Sequence, residues 1–155
     1  MADAKTAISI TLQHEGGFVD NPNDPGGATN MGITQRDMPG QNIRELTVDQ
    51  AVEYYSEHYW KPLYSQINSQ SIANKLFDLG VLFGIGTAVG VLQTAMNITH
   101  DGVFGPGTLD AVNQADVTKL LQDFKNAMTD RALNVVKMNP KEQIFLKGWL
   151  TRINS

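Results

Sequence analysis

The stretch HEGGFVDNPNDPGGATNMGIT, residues His14 to Thr34, decides how the rest of the chain is read. It sets Glu15, Asp20, Asp24 and Thr29 among two glycine pairs and two prolines. That mixture is too irregular for a helix and too polar for a core strand. Upstream, Ala4, Ala7, Ile8, Thr11 and Leu12 recur at three- and four-residue spacing, which predicts a helix over residues 3–14. Gly16-Gly17 ends it, as glycine does just past a helix C-terminus. Glu15 therefore falls at the helix end. A carboxylate there faces the negative pole of the helix dipole, an environment that favours the protonated form.

Downstream, Asn21-Pro22 and Asp24-Pro25-Gly26-Gly27 are turn signals. They leave Phe18-Val19 and Met31 to Thr34 to pair as a small ribbon. Thr47-Val48-Asp49-Gln50 is a capping box that opens a helix to about Tyr59, stopped by Pro62. A long helical region from about Ser71 to Asn97 is broken in two at Gly84-Ile85-Gly86. Pro106 or Thr108 opens a short helix, and Asp116 caps one from Val117 to about Met138. Asn139-Pro140-Lys141-Glu142 resembles a second capping box and starts a last helix containing Gly148-Trp149, which reads as a helix-packing pair. The expected fold is mainly α with one small β element near the N-terminus.

A chain of 155 residues has room for one domain with a real hydrophobic core. Its net charge of −4 argues against nucleic acid as a partner. With no cysteine there is no disulfide or thiolate metal site, and His14, His58 and His100 are too scattered for a metal-ligand pattern. No metal or organic cofactor is implied. The opening Met-Ala-Asp-Ala-Lys does not lead into a signal-peptide pattern. The most apolar run, Val81 to Met96, is interrupted by Gly84, Gly86 and Gly90, so no stable membrane insertion is expected.

The cluster of Glu15, Asp20, Asp24 and Thr29 reads in two ways. Caps and turns account for most such groupings. Alternatively, glycoside hydrolysis needs a carboxylic acid to protonate the leaving oxygen and a second group to place water or stabilise the cation. Glu15 suits the first role, and Asp24 with Thr29, or Asp20, the second. A calcium loop over Asp20–Asp24 fails because prolines stand where an oxygen ligand and the turn glycine belong. Tyr54, Tyr55, Tyr59, Trp60 and Tyr64 offer sugar-stacking faces, although aromatics at helical spacing more often fill a core. Asp78 lies on an otherwise apolar helix, so it is either paired or faces a cleft.

Glu15-Gly-Gly-Phe18, Asp24-Pro-Gly-Gly-Ala-Thr29 and Gly32-Ile-Thr34 together resemble the signature of glycoside hydrolase family 108, N-acetylmuramidases of phages and bacteria, some of them endolysins or secretion activators. The resemblance continues through Tyr59-Trp60, Phe77-Asp78 and Val91-Leu92-Gln93. Asp101 to Pro106 is similar to that family's peptidoglycan-binding segment, and Lys147-Gly148-Trp149 is another shared feature. The chain departs from the family at Leu82-Phe83-Gly84-Ile85, where members commonly carry Asn-Ser-Gly-Pro, and at Met31, where an aromatic is common.

The resemblance implies a lysozyme-like domain over 1–155, helices around a cleft, with a catalytic part in 1–97 and a peptidoglycan-binding part in 98–155. It implies peptidoglycan glycan strands as partner, Glu15 as the acid, and, by looser likeness to phage lysozymes, Asp24 and Thr29 beside it. Asp20, Tyr59, Trp60 and Asp78 are candidate substrate contacts. The protein is expected to be a monomer that acts on the cell wall after export or lysis.

Overall fold

The computed structural model describes residues 1–22 and 26–155. Helix α1 spans Ala4–Glu15, with Asp3 as its cap: the Asp3 carboxylate accepts from the Thr6 backbone N–H at 2.8 Å and from its hydroxyl at 2.7 Å. A two-stranded antiparallel ribbon follows, β1 (Thr29–Asn30) and β2 (Ile33–Thr34), with Asn30 opposite Ile33. Val19 joins it through two 2.7 Å backbone bonds with Thr29. The ribbon lies where the turn signals put it, but the partner of Ile33–Thr34 is Thr29–Asn30 rather than Phe18-Val19. The reason is the two-residue loop Met31-Gly32, whose φ values of 52° and 79° give the left-handed turn that matches strand twist.

Glycine adopts that geometry freely, but methionine does not. Met31→Asn is therefore expected to raise stability by about 0.5–1 kcal/mol, since asparagine tolerates the left-handed region. Urea unfolding measures it; a loss of stability would show that the packing of the Met31 side chain outweighs its backbone strain.

Helix α2 (Val48–Tyr59) begins with both reciprocal bonds of the capping box between Thr47 and Gln50. Helices α3 (Gln70–Phe83) and α4 (Ile85–Ala95) are separated at Gly84, whose φ of 98° breaks the helix while its N–H caps the Gly80 carbonyl. Helix α5 covers Pro106–Gln114 and α6 covers Val117–Met138, capped by Asp116. The last helix, α7, spans Gln143–Asn154 and follows a short 3-10 turn over Pro140–Glu142. Contrary to the capping-box expectation, Asn139 makes no side-chain cap: the Glu142 N–H donates to the Asn139 backbone carbonyl at 3.0 Å, and the chain enters through the 3-10 turn.

Helix α3 is buried along most of its length and divides its apolar side chains between two clusters. Leu76 and Leu79 pack with Leu92 of α4 and Phe124 and Met128 of α6. Phe77 turns the other way, toward Ile8 of α1, Ile33 of the ribbon and Tyr55 of α2. Each such fully buried side chain contributes about 1.5–3 kcal/mol. Trp60 packs against both clusters. The result is a mainly α, lysozyme-like fold in which α1, α2 and the ribbon gather on one side of α3, while α4, α6 and α7 gather on the other.

Candidate active site

Glu15 is the last residue of α1, and Gly16, at φ 77°, closes the helix by donating to the Leu12 carbonyl. The Glu15 carboxylate lies over the ribbon turn. A Cβ placed on Gly32 would sit 2.5 Å from Glu15 Oε2 and 2.5 Å from the Tyr55 hydroxyl. The absence of a side chain at Gly32 thus leaves the space that both the carboxylate and the phenol border. Tyr55 donates to the Met31 carbonyl at 2.7 Å, which ties α2 to the turn. Burial, and then the charge of Glu15, push the Tyr55 phenol well above its ordinary range, so it stays a donor.

The other partner of Glu15 comes from the far end of the chain. Arg152 of α7 donates from Nη2 to Glu15 Oε1 at 2.8 Å. The same guanidinium grips Asp78 of α3 from Nε and Nη2, both at 3.0 Å, and the Thr11 hydroxyl donates to Asp78 Oδ1 at 2.8 Å. The side chains of Arg152, Glu15 and Asp78 are 11%, 19% and 2% exposed. Burial alone would pull Arg152 downward, but the hydrogen bonds and charges of Asp78 and Glu15 outweigh it and hold the guanidinium above its ordinary value. A forked cation bridging two carboxylates is a task for arginine rather than lysine. Arg152 sets a cation beside Glu15 that the helix-end position of the acid does not disclose.

Helix α7 is fixed where it delivers Arg152. The Lys75 ammonium of α3 donates to the Arg152 and Ser155 carbonyls, each at 3.0 Å, which satisfies groups at the end of α7. Burial pulls this amine down to about 8, against the raising effect of Asp78. The unfolded chain therefore holds more protons than the folded one between about pH 8 and the ordinary lysine value, and stability rises with pH across that window. Urea unfolding of the wild type and Lys75→Met from pH 7 to 10.5 is expected to show the difference moving in favour of the wild type; a flat difference would contradict the burial account.

The remaining candidates separate. Thr29 sits in β1, half-buried, and Asp20 is exposed just after the Val19 bridge. Asp24 lies outside the described residues. Tyr59 is half-buried with its ring 5.8 Å from that of Tyr55, on the site side of α2. Trp60 spends its indole N–H on the Ser65 hydroxyl at 2.9 Å and its ring on Tyr64 and Phe77, a core placement. Asp78 is the paired acid of the two alternatives, with both oxygens turned to Arg152 and Thr11. Among the described residues, no group of histidines and acids is arranged to hold a metal ion.

The Asp101-Gly102 segment is braced from inside by the buried Gln93. Its amide donates to Asp101 Oδ1, the Val103 carbonyl and the Thr108 hydroxyl, while its oxygen accepts from the N–H groups of Asp101 and Gly102. That makes it a structural turn. Gly148, in contrast, is not a packing glycine: a Cβ there would meet nothing within 4 Å. Trp149 packs edge-on against Phe83 and stacks on Phe145.

Residues 8–84 match the family model described as glycosyl hydrolase 108, and residues 87–154 match the one described as a predicted peptidoglycan domain. Among solved structures, SagA from Brucella abortus superposes with a TM-score of 0.76 at 30% identity, covering 97% of this chain and 89% of that one. No curated protein matches. The chain belongs to the glycosyl hydrolase 108 family, and its function is peptidoglycan-related.

Proposed function

We propose that the protein is an N-acetylmuramidase that cleaves the β-1,4 bond between N-acetylmuramic acid and N-acetylglucosamine. The observation that carries this reading is the setting of Glu15: a reachable carboxyl group held by Arg152 and set beside the side-chain-free Gly32 turn. Glu15 donates its proton to the glycosidic oxygen as the bond to the anomeric carbon breaks. The carboxylate left behind forms 2.8 Å from the Arg152 guanidinium, which stabilises the charge that this step creates. Water then adds to the cationic sugar, losing a proton that restores the acid. Thr29, on the adjoining strand, and Asp24 or Asp20 are proposed to place that water or stabilise the cation.

Residues 1–97 carry the acid and the groups proposed to place water, while 98–155 supply Arg152 and contribute wall recognition within one domain, acting on the cell wall as an endolysin or a related lytic enzyme does. No described helix is long and apolar enough to cross a membrane.

Glu15→Gln is expected to keep the fold and to lower the release of reducing ends from purified peptidoglycan by at least a hundredfold, on the order of the loss of a general acid. A folded Glu15→Gln protein that still releases them overturns the assignment. A second reading, a wall-binding accessory without hydrolysis, is favoured by Leu82-Phe83, which replace polar family residues, with Phe83 lying against Trp149. Wall binding by the wild type without new reducing ends would select it.

A further inference from the structure

We infer that the groove beside α7 is a subsite for the acidic peptide stem of peptidoglycan; the inference rests on the muramidase reading and extends it to the substrate's second polymer. The groove encloses about 630 Å³ between the end of α3 and the outward face of α7, with Leu82, Phe145, Lys147, Gly148, Trp149 and Arg152 among its lining residues.

Three independent observations converge on it. The first is Gly148. Glycine in the middle of a helix costs about 1 kcal/mol relative to alanine. Two other mid-helix glycines serve packing: a Cβ on Gly90 would strike the His100 ring at 2.4 Å, and one on Gly80 would touch Ile85 at 3.7 Å, whereas Gly86 and Gly107, as free of contact as Gly148, stand in the first turns of α4 and α5. Gly148 is exposed, has no left-handed backbone and faces nothing in its own chain. Gly148 is one of the residues that line the groove, so the room left by its missing side chain adjoins it.

The second observation is charge. In a chain of net charge −4, this groove is lined by Lys147, by Arg152, whose guanidinium is shared with Asp78 and Glu15, and by no aspartate or glutamate. Lys147 is in no ion pair among the described residues. Beside Lys147 on the same helix, Phe145 is 50% exposed and Ile144 is 80% exposed. A short peptide that alternates carboxylates with alanine methyls and methylene chains complements both features.

The third is continuity. Arg152 lines the groove and holds Glu15, and His14 adjoins Glu15 in the chain. A muramic acid residue at the scissile bond carries its stem on the lactyl group, one substituent away from the chemistry. A stem leaving the cleft on the α7 side enters this groove.

The test compares two substrates and one soluble ligand. Sacculi are used intact or stripped of stems with an N-acetylmuramoyl-L-alanine amidase. The wild type is expected to release reducing ends from intact sacculi at least tenfold more efficiently. Lys147→Glu and Gly148→Leu are each expected to bring the intact-to-stripped ratio close to one. Leucine favours helix, so Gly148→Leu keeps α7 formed; thermal melts check both variants.

Titration with N-acetylmuramoyl tetrapeptide, followed by amide NMR shifts, is independent of turnover. Shifts at Lys147, Gly148 and Trp149 that vanish in Lys147→Glu support the subsite. A wild-type ratio of one, a ratio unmoved by both variants, or shifts confined to other surfaces overturns it. If no reducing ends are released from either substrate, the muramidase reading fails, and the titration still decides whether the groove takes the stem.

Discussion

Arg152→Met is expected to destabilise the protein by about 3–5 kcal/mol, the range for removing one partner of a buried ion pair. The effect is large because of what remains. Asp78 is 2% exposed, and both of its oxygens are taken by Arg152, one of them shared with the Thr11 hydroxyl. Without the guanidinium, Asp78 keeps one neutral hydrogen bond, from Thr11, and the Lys75 ammonium, which donates to the Arg152 and Ser155 carbonyls, is in no ion pair with it. The Lys75 bonds to the end of α7 do not replace the pair, since they end on backbone carbonyls. Urea unfolding at neutral pH gives the number.

Two further variants separate charge from geometry. Arg152→Lys keeps a cation but loses the fork, so it should recover part of the stability while leaving Glu15 unheld. Arg152→Met combined with Asp78→Leu removes the stranded acid and should recover most of the stability without recovering lysis. If Arg152→Met alone costs less than about 1 kcal/mol, the bridge behaves as an exposed ion pair, and the account of Asp78 is wrong.

This bridge also marks the limit of what the sequence discloses. The helices, their caps and the break at Gly84 were legible because each rests on residues a few positions apart: Thr47 with Gln50, Asp116 with Lys119, Gly84 with Gly80. Glu15 was legible as a helix-end carboxylate in a run of turn residues, and the family signature pointed to it. Arg152 was not. It contacts Glu15 across 137 positions of chain and reads locally as one more cation near the end of an amphipathic helix.

Asp78 was visible as an acid in an apolar stripe, but its partner lies 74 positions away, and only packing shows which of its two explanations holds. Met31 looked like a small departure from a family pattern. Its left-handed backbone is dictated by a two-residue loop whose register depends on Asn30 facing Ile33, a pairing that a two-residue strand hardly announces. Local chemistry thus wrote the elements and the acid, whereas the groups that hold the acid come from chain ends that meet only when α7 docks on α3.

Gly32→Ala is expected to lower hydrolysis by at least a hundredfold and to cost about 2–4 kcal/mol of stability, adding a left-handed backbone penalty to a steric one. The new methyl carbon would stand 2.5 Å from Glu15 Oε2, 2.9 Å from Glu15 Cδ and 2.5 Å from the Tyr55 oxygen. None of the three yields cheaply. Glu15 is held by Arg152 at 2.8 Å, and Tyr55 is 2% exposed with its hydroxyl bonded to the Met31 carbonyl. The carboxylate therefore moves off the turn or the turn moves off the carboxylate, and under the proposed muramidase role of Glu15 a displacement of about 1 Å costs on the order of a hundredfold in rate.

Gly27→Ala separates strain from clash. Gly27 has nearly the same φ, 80°, but its Cβ would meet only Gln35 Cβ, at an ordinary 3.6 Å. It should share the backbone part of the stability loss and spare most of the rate. Equal rate losses in the two variants would mean that ribbon strain alone governs activity, and that the contact between Gly32 and Glu15 is incidental. A loss confined to Gly32→Ala would instead show that the turn's role is to leave space for the Glu15 carboxylate, which is the geometric reason for a glycine at the second position of this hairpin loop.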